Sequence, residues 1–244
     1  YKEAILFYIF KLLWLDPGRD YHDFMALWDK ATLRQEFSMQ YSPEFIKAIP
    51  KADLHLHLDG SLRASSLIDM AKRADIELPS YTEEGLFDLV FKSHYNNLGE
   101  YLNGFQYTCA ALRDLENLEQ ASYELAVDNQ NEGVNYIEVR FAPQLLMDPN
   151  KGVTFDTIMH VVNDGLLRAK NEYNSSADVK NGDKPPFEYG IINCAMRMFG
   201  KKGFSPYYTQ MFQLMRDFES MQVIKTAAMD LVRASVRMRD EEGM

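Results

Sequence analysis

Three times along this sequence a short strand pattern gives way to a loop and then to a helical pattern, and that order constrains the fold more than any other feature. The first strand reads Lys51-Ala52-Asp53-Leu54-His55-Leu56-His57-Leu58 and alternates polar and apolar residues throughout, the two-residue period of β structure. Pro50 precedes it, Gly60 ends it, and Ser65 to Lys72 resumes a helical pattern. A helical stretch over 114–132 is closed by Gly133, a helix-stop residue. The second strand, Asn135 to Phe141, follows and is ended by Pro143. Thr154 to Tyr173 is helical, Asn174 to Pro186 is a polar loop, and Gly190 to Arg197 is the third strand. Ser205-Pro206 opens a helix through about Phe218, and a last amphipathic helix covers Thr226 to Glu242. Strand, loop and helix in alternation imply an α/β fold with a parallel sheet and crossover helices. A closed (β/α)₈ barrel needs eight strands and about 250 residues. On the residues alone, an open sheet and the first three β/α units of a TIM-type barrel both stay open.

Composition removes other classes. The 244 residues are 46% hydrophobic and 25% charged, enough for a large core and unlike a disordered or collagen-like chain. A net charge of −10, from 26 Lys+Arg against 36 Asp+Glu, argues against a nucleic-acid partner, since phosphate contacts need clustered cations. Cys109 and Cys194 form no CxxC pair, so neither a disulfide framework nor a cysteine zinc site is expected, and the compartment reads as reducing and cytoplasmic. Residues 4–15, AILFYIFKLLWL, are interrupted by Lys11 and too short for a bilayer, which takes about 20 apolar residues. They read as a packed helix rather than a targeting segment, so no membrane partner is expected. Residues 21–48 look helical with breaks, with Ser42-Pro43-Glu44 as a cap followed by Pro. The expected division is a helical extension over 1–44 and a main body over 45–244.

The strongest chemical signal lies in the first strand. Residues two apart on a strand share a side, so His55 and His57 project together with Asp59 next in line. Two adjacent imidazoles at the carboxyl end of a parallel strand can reach one divalent ion, zinc by preference. The bland alternative is a pair of hydrogen-bonded or solvent-facing histidines. Glu138, Arg140 and Arg197 read as a buried ion pair or network in the sheet interior rather than as catalytic groups. His160 falls inside a helix, His94 in a loop, and His22 carries no signal.

Taken together, these residues resemble the adenosine deaminase family of the amidohydrolase superfamily. Ile49 to Leu62 (IPKADLHLHLDGSL) is similar to the family's first-strand signature, Leu98 to Phe105 (LGEYLNGF) to its helical gate, Asn135 to Leu146 (NYIEVRFAPQLL) to its second strand, and Ile192 to Arg197 (INCAMR) to its third. The resemblance covers roughly residues 45–244 and implies a zinc (β/α)₈ barrel. It implies that His55 and His57 ligate one Zn²⁺, and that His57 and Asp59 contact the substrate, Asp59 through the ribose 5′-hydroxyl. It also implies that Leu98, Tyr101, Leu102 and Phe105 form an apolar lid on the base. Asp59, where adenine deaminases usually carry Glu, favours a nucleoside. The implied reaction is hydrolytic deamination of adenosine or 2′-deoxyadenosine to inosine or 2′-deoxyinosine and ammonia.

The family's third zinc histidine and its general-acid Glu belong to a later strand end, and no histidine follows His160. With an opening on Tyr1 and a close at Met244, the expectation is a piece of a longer polypeptide. No catalytic residue is assigned within it, the general acid is expected beyond Met244, and the 244 residues alone are expected to be inactive. The alternatives are a deaminase for adenine or another aminopurine, and a non-catalytic binding or assembly module.

Overall fold

A computed structural model describes residues 41–196 and 205–242. The described residues fall into two units, one ending at Ile49 and the other running from Pro50. Of the first, helix α1 (Pro43–Ala48) starts where Ser42 Oγ accepts the Phe45 N–H, with Pro at the first helical position. The apolar stretch 4–15, residues 21–40 and Arg197 lie outside the described residues.

The second unit is built on a parallel sheet in the order β1-β2-β3, with β1 over Lys51–His57, β2 over Val134–Phe141 and β3 over Glu188–Asn193. A 3₁₀ turn (Leu58–Gly60) follows β1. Helices α2 (Ala64–Arg73), α3 (Glu83–Leu89), α4 (Leu98–Leu102), α5 (Phe105–Ala111) and α6 (Leu115–Asn131) connect β1 to β2. The long helix α7 (Phe155–Asn174) and a single turn α8 (Ala177–Lys180) lead into β3, after which come α9 (Pro206–Leu214) and α10 (Ser220–Glu242). This sequential parallel order is that of a partial TIM-type barrel.

Side-chain oxygens fix where the main helices begin. Asp114 accepts from Asn117 N–H, Thr154 from Thr157 N–H and Ser205 from Tyr208 N–H, each satisfying an amide that has no partner within its helix. Gly133, at φ 78°, turns the chain out of α6 into β2. Ile137, Val139 and Phe141 of β2 face the helices and are buried with Leu118, Leu125, Ile158 and Leu166, each large side chain contributing about 1.5–3 kcal/mol. Gly165 of α7 lets the helices touch: a Cβ there would lie 2.5 Å from the Glu119 carbonyl oxygen of α6. A smaller core joins Tyr207, Tyr208 and Phe212 of α9 to Val223 and Ala227 of α10.

Several boundaries differ from the sequence reading. The third strand spans Glu188–Asn193 rather than Gly190–Arg197, because its ladder to β2 is anchored from Tyr136–Glu188 to Phe141–Asn193. The polar loop after Tyr173 contains the turn α8, and α9 stops at Leu214 rather than near Phe218. The last helix starts at Ser220, since Val223 is fully buried and holds the additional turn down. Leu98 to Phe105 is two helices, broken at Asn103 and Gly104. No helix among the described residues is long and apolar enough to cross a membrane.

Candidate functional site

The carboxyl end of β1 brings the two imidazoles together. His55 Nε2 and His57 Nε2 lie 3.3 Å apart, with ring centroids 5.3 Å apart and planes inclined by 36°. Both residues are exposed, at the end of the strand where the chain turns away through Leu58–Gly60. Two nitrogens bound tetrahedrally to one ion at about 2.0–2.1 Å stand about 3.3–3.4 Å from each other. The observed separation is therefore the edge of such a cage, and the donor set fits zinc. An N–H···N hydrogen bond is the other arrangement with this spacing. Among the described residues no group of three His, Cys, Asp or Glu side chains could hold a metal ion.

Asp59 stands beside them. Its Oδ1 faces His57 Nδ1 at 3.6 Å, and its side chain is 15% exposed against 50% for His57. Burial raises the Asp59 pKa, while the neighbouring His57 and the hydrogen bonds to the carboxylate work in the opposite direction. That Oδ1 has no hydrogen-bond partner within hydrogen-bond length. It shares this condition with two other buried side-chain atoms, Arg140 Nε in β2 and Asn193 Oδ1 at the end of β3. All three sit at or just past the carboxyl ends of adjacent parallel strands. Such orphaned groups are costly in a finished interior, and a water, an ion or a polar ligand would satisfy them.

Phe105 closes one side. A Cβ on Gly60 would stand in ordinary contact with His57 Cβ at 3.5 Å and with the Phe105 ring at 3.6 Å, which places that ring beside the strand end. Tyr101 packs edge-on against Phe105 at 5.6 Å, and Tyr95 against Tyr101 at 5.3 Å. Leu98 and Leu102 are 69% and 51% exposed, and α4 buries none of its residues. Of the four residues expected as an apolar lid, Phe105 and Tyr101 are thus in ring contact beside the end of β1, and the two leucines are exposed on α4.

A capping arrangement holds α4 in place. Asn97 Oδ1 accepts the Glu100 N–H, and Glu100 reaches back to the Asn96 N–H at 2.7 Å and to Lys92 Nζ at 3.0 Å. These bonds, chiefly from the Asn96 amide, hold the Glu100 carboxyl down to about 2. The spacing of Asn97 and Glu100 is that of a capping box, a signal the sequence reading passed over.

The interior polar residues of β2 are held by hydrogen bonds rather than by a direct ion pair. Glu138 and Arg140 are half-buried and make no ion pair with each other among the described residues. Tyr136 Oη donates to Glu138 at 3.5 Å, and Arg140 Nη2 donates to the Leu54 carbonyl at 2.8 Å. Their side chains share the sheet face that opens away from the helices, and the main chain of β1 offered Arg140 the better partner. His160 sits in α7 with Nδ1 at 2.7 Å from the Asp156 carbonyl, and His94 lies in the loop before α4. Burial pushes the Cys109 thiol up to about 12, and Cys194 also lies above the ordinary thiol range, mainly through burial.

With this geometry in view, comparisons with known proteins become informative. The sequence profile of the adenosine deaminase family matches residues 50–218. An adenosine deaminase of Clostridium botulinum (strain 657 / Type Ba4) is 36% identical over 161 residues, covering 64% of this chain and 48% of its own length. One of Vibrio atlanticus is 35% identical over 182 residues, covering 67% and 54%. The chain spans about half the length of these relatives. Among solved structures, the N6-mAMP deaminase of Arabidopsis superposes with a TM-score of 0.53 at 21% identity, over 81% of this chain and 49% of that one. An amidohydrolase of Burkholderia ambifaria with bound Zn superposes with a TM-score of 0.54 at 14% identity, over 81% and 54%. These two likenesses concern the fold. The family match runs from Pro50 through all three strands and the imidazole pair into α9, and it makes this chain a member of the adenosine deaminase family.

Proposed function

We infer that this chain carries the metal-binding and sugar-binding half of a zinc-dependent deaminase that converts adenosine or 2′-deoxyadenosine, with water, to inosine or 2′-deoxyinosine and ammonia. The observation that carries the reading is the 3.3 Å approach of His55 Nε2 and His57 Nε2 beside a buried carboxylate with an open acceptor. When bound, zinc lowers the pKa of water toward 7 and so supplies a nucleophile at neutral pH.

The chain's own residues would hold and orient. His55 and His57 would present neutral Nε2 lone pairs to the ion, and Asp59 stands beside the opposite ring nitrogen of His57. The open Oδ1 of Asp59 accepts the ribose 5′-hydroxyl, and His57 flanks the same group. Phe105, backed by Tyr101, covers the apolar face of the base and keeps bulk water from the polar contacts beneath it. Leu98 and Leu102, exposed on α4, are proposed to complete this cover. No described residue is assigned the proton transfer to the purine ring.

The test compares binding of adenosine, 2′-deoxyadenosine and adenine, with Asp59→Ala as the diagnostic variant. The reading expects the variant to lose affinity for the two nucleosides while adenine binding stays as it was. Equal loss for adenine would favour an aminopurine deaminase, and absence of both zinc and purine binding would favour a non-catalytic module.

A further inference from the structure

We propose that Asp53 and Arg140 form a register lock on β1 that aims His55 and His57 at a common point. The assignment of what those imidazoles hold rests on the deaminase reading above; the lock itself rests on strand pairing. Along the ladder, Ala52 pairs with Tyr136 and Asp53 with Ile137, but Leu56 then pairs with Val139 and His57 with Arg140. Continued without interruption from Asp53, the same ladder would set Leu56 beside Arg140 and His57 beside Phe141. Phe141 is 2% exposed and faces the helices. A slip of one residue moves every following side chain to the other face of a strand. His57 would then enter the helix-packed core, and Leu56 and Leu58 would be turned out of it.

The register is corrected between Asp53 and Leu56, where Leu54 and His55 together span one position of β2. Bulges of this kind are rare between parallel strands and redirect side chains where they occur. They also leave main-chain groups without their ladder partners, and here two side chains take them up. Asp53 Oδ1 accepts the His55 N–H at 2.9 Å, and Arg140 Nη2 donates to the Leu54 carbonyl at 2.8 Å. One bond ties the bulge to itself and the other ties it to the neighbouring strand. Arg140 keeps its Nε buried without a partner, an arrangement that a purely structural arginine has little reason to retain. Neither residue need touch the ion; both act through the direction in which the imidazoles point.

The experiment uses the 244-residue chain with isotopically labelled histidine, titrated with Zn²⁺ and followed through the ring resonances of His55 and His57, which are assigned with His57→Gln. Asp53→Ala and Arg140→Met are expected to weaken zinc binding at the pair about tenfold or more, the scale seen when groups that orient metal ligands are removed. Asp53→Asn, which keeps a carbonyl acceptor, is expected to stay close to the parent. Before zinc is added, the ring-to-ring nuclear Overhauser contact between His55 and His57 is expected in the parent and in Asp53→Asn, and is expected to vanish in the two disruptive variants. Folded Asp53→Ala with parental affinity and an intact contact would overturn the lock. Should Arg140→Met fail to fold, Arg140→Lys and Asp53→Ala decide the matter. A parent that shows the contact but binds no zinc there would overturn the zinc reading and leave the lock standing.

Discussion

Two polar regions of this chain have opposite designs. Around Gln144, 1% exposed, every group is matched. Its amide donates to Tyr207 Oη at 3.0 Å and to the Ala227 carbonyl at 2.7 Å, and its own oxygen accepts from Tyr208 Oη at 3.0 Å. Ser205 Oγ donates to the Gln144 carbonyl at 2.8 Å, and Tyr207 Oη donates on to Asp230 at 2.9 Å. The network joins the segment after β2 to α9 and α10. At the carboxyl ends of the strands the reverse holds: Asp59, Arg140 and Asn193 each keep a buried atom unmatched, beside two exposed imidazoles. A satisfied network makes one arrangement cheaper than all others, whereas an unsatisfied one waits for a partner from outside. The matched groups thus tie helices to the segment after β2, and the unmatched ones gather at the strand ends.

That contrast is broken or sharpened by substitution, and the largest effect should come from the satisfied side. Gln144→Ala strands two tyrosine hydroxyls and the Ala227 carbonyl, and urea unfolding should show a loss of roughly 3 kcal/mol with zinc binding at the imidazoles unaltered. Gly165→Ala drives a Cβ against the α6 backbone and should cost about 1–3 kcal/mol, read in the same unfolding curve. On the unsatisfied side, Asp59→Asn should leave stability within about 0.5 kcal/mol of the parent or raise it while weakening nucleoside binding; a large loss of stability would mean that Asp59 is structural. The smallest effect concerns Glu100. Its folded pKa is lowered to about 2 from the ordinary 4.5. Its contribution is therefore complete above 4.5 and lost as pH falls through about 2. Hydrogen exchange in α4 should distinguish parent from Glu100→Gln at pH 6, and the two should converge near pH 2.

Much of this was legible in the sequence, and what was not has a physical reason. The alternation from Lys51 to Leu58 announced β1, and the same-side rule announced that His55 and His57 would face one way. The strand order follows the chain order, each strand pairing with the next in parallel through a helical crossover. The bulge was invisible because its slip is cancelled by an opposite one between Lys51 and Ala52, so the polar-apolar period runs through undisturbed. Arg140 was read as part of an ion pair or network, and which partner it takes was not legible, because the Leu54 carbonyl is main chain and lies 86 residues away. The Gln144 network was out of reach for a related reason: its partners come from 61 to 83 residues downstream, and a single glutamine carries no local period. The division of the lid segment was readable, since Asn103-Gly104 is a turn signal inside a helical pattern. Leu98 and Leu102 had the spacing of a buried face, yet α4 is too short to bury it.

Zinc-edge X-ray absorption on the zinc-loaded chain tests the central claim most directly. The account predicts a first shell containing two imidazole nitrogens at about 2.0–2.1 Å, reduced by one in His55→Gln and by one in His57→Gln. An imidazole count that does not change in either variant would contradict it.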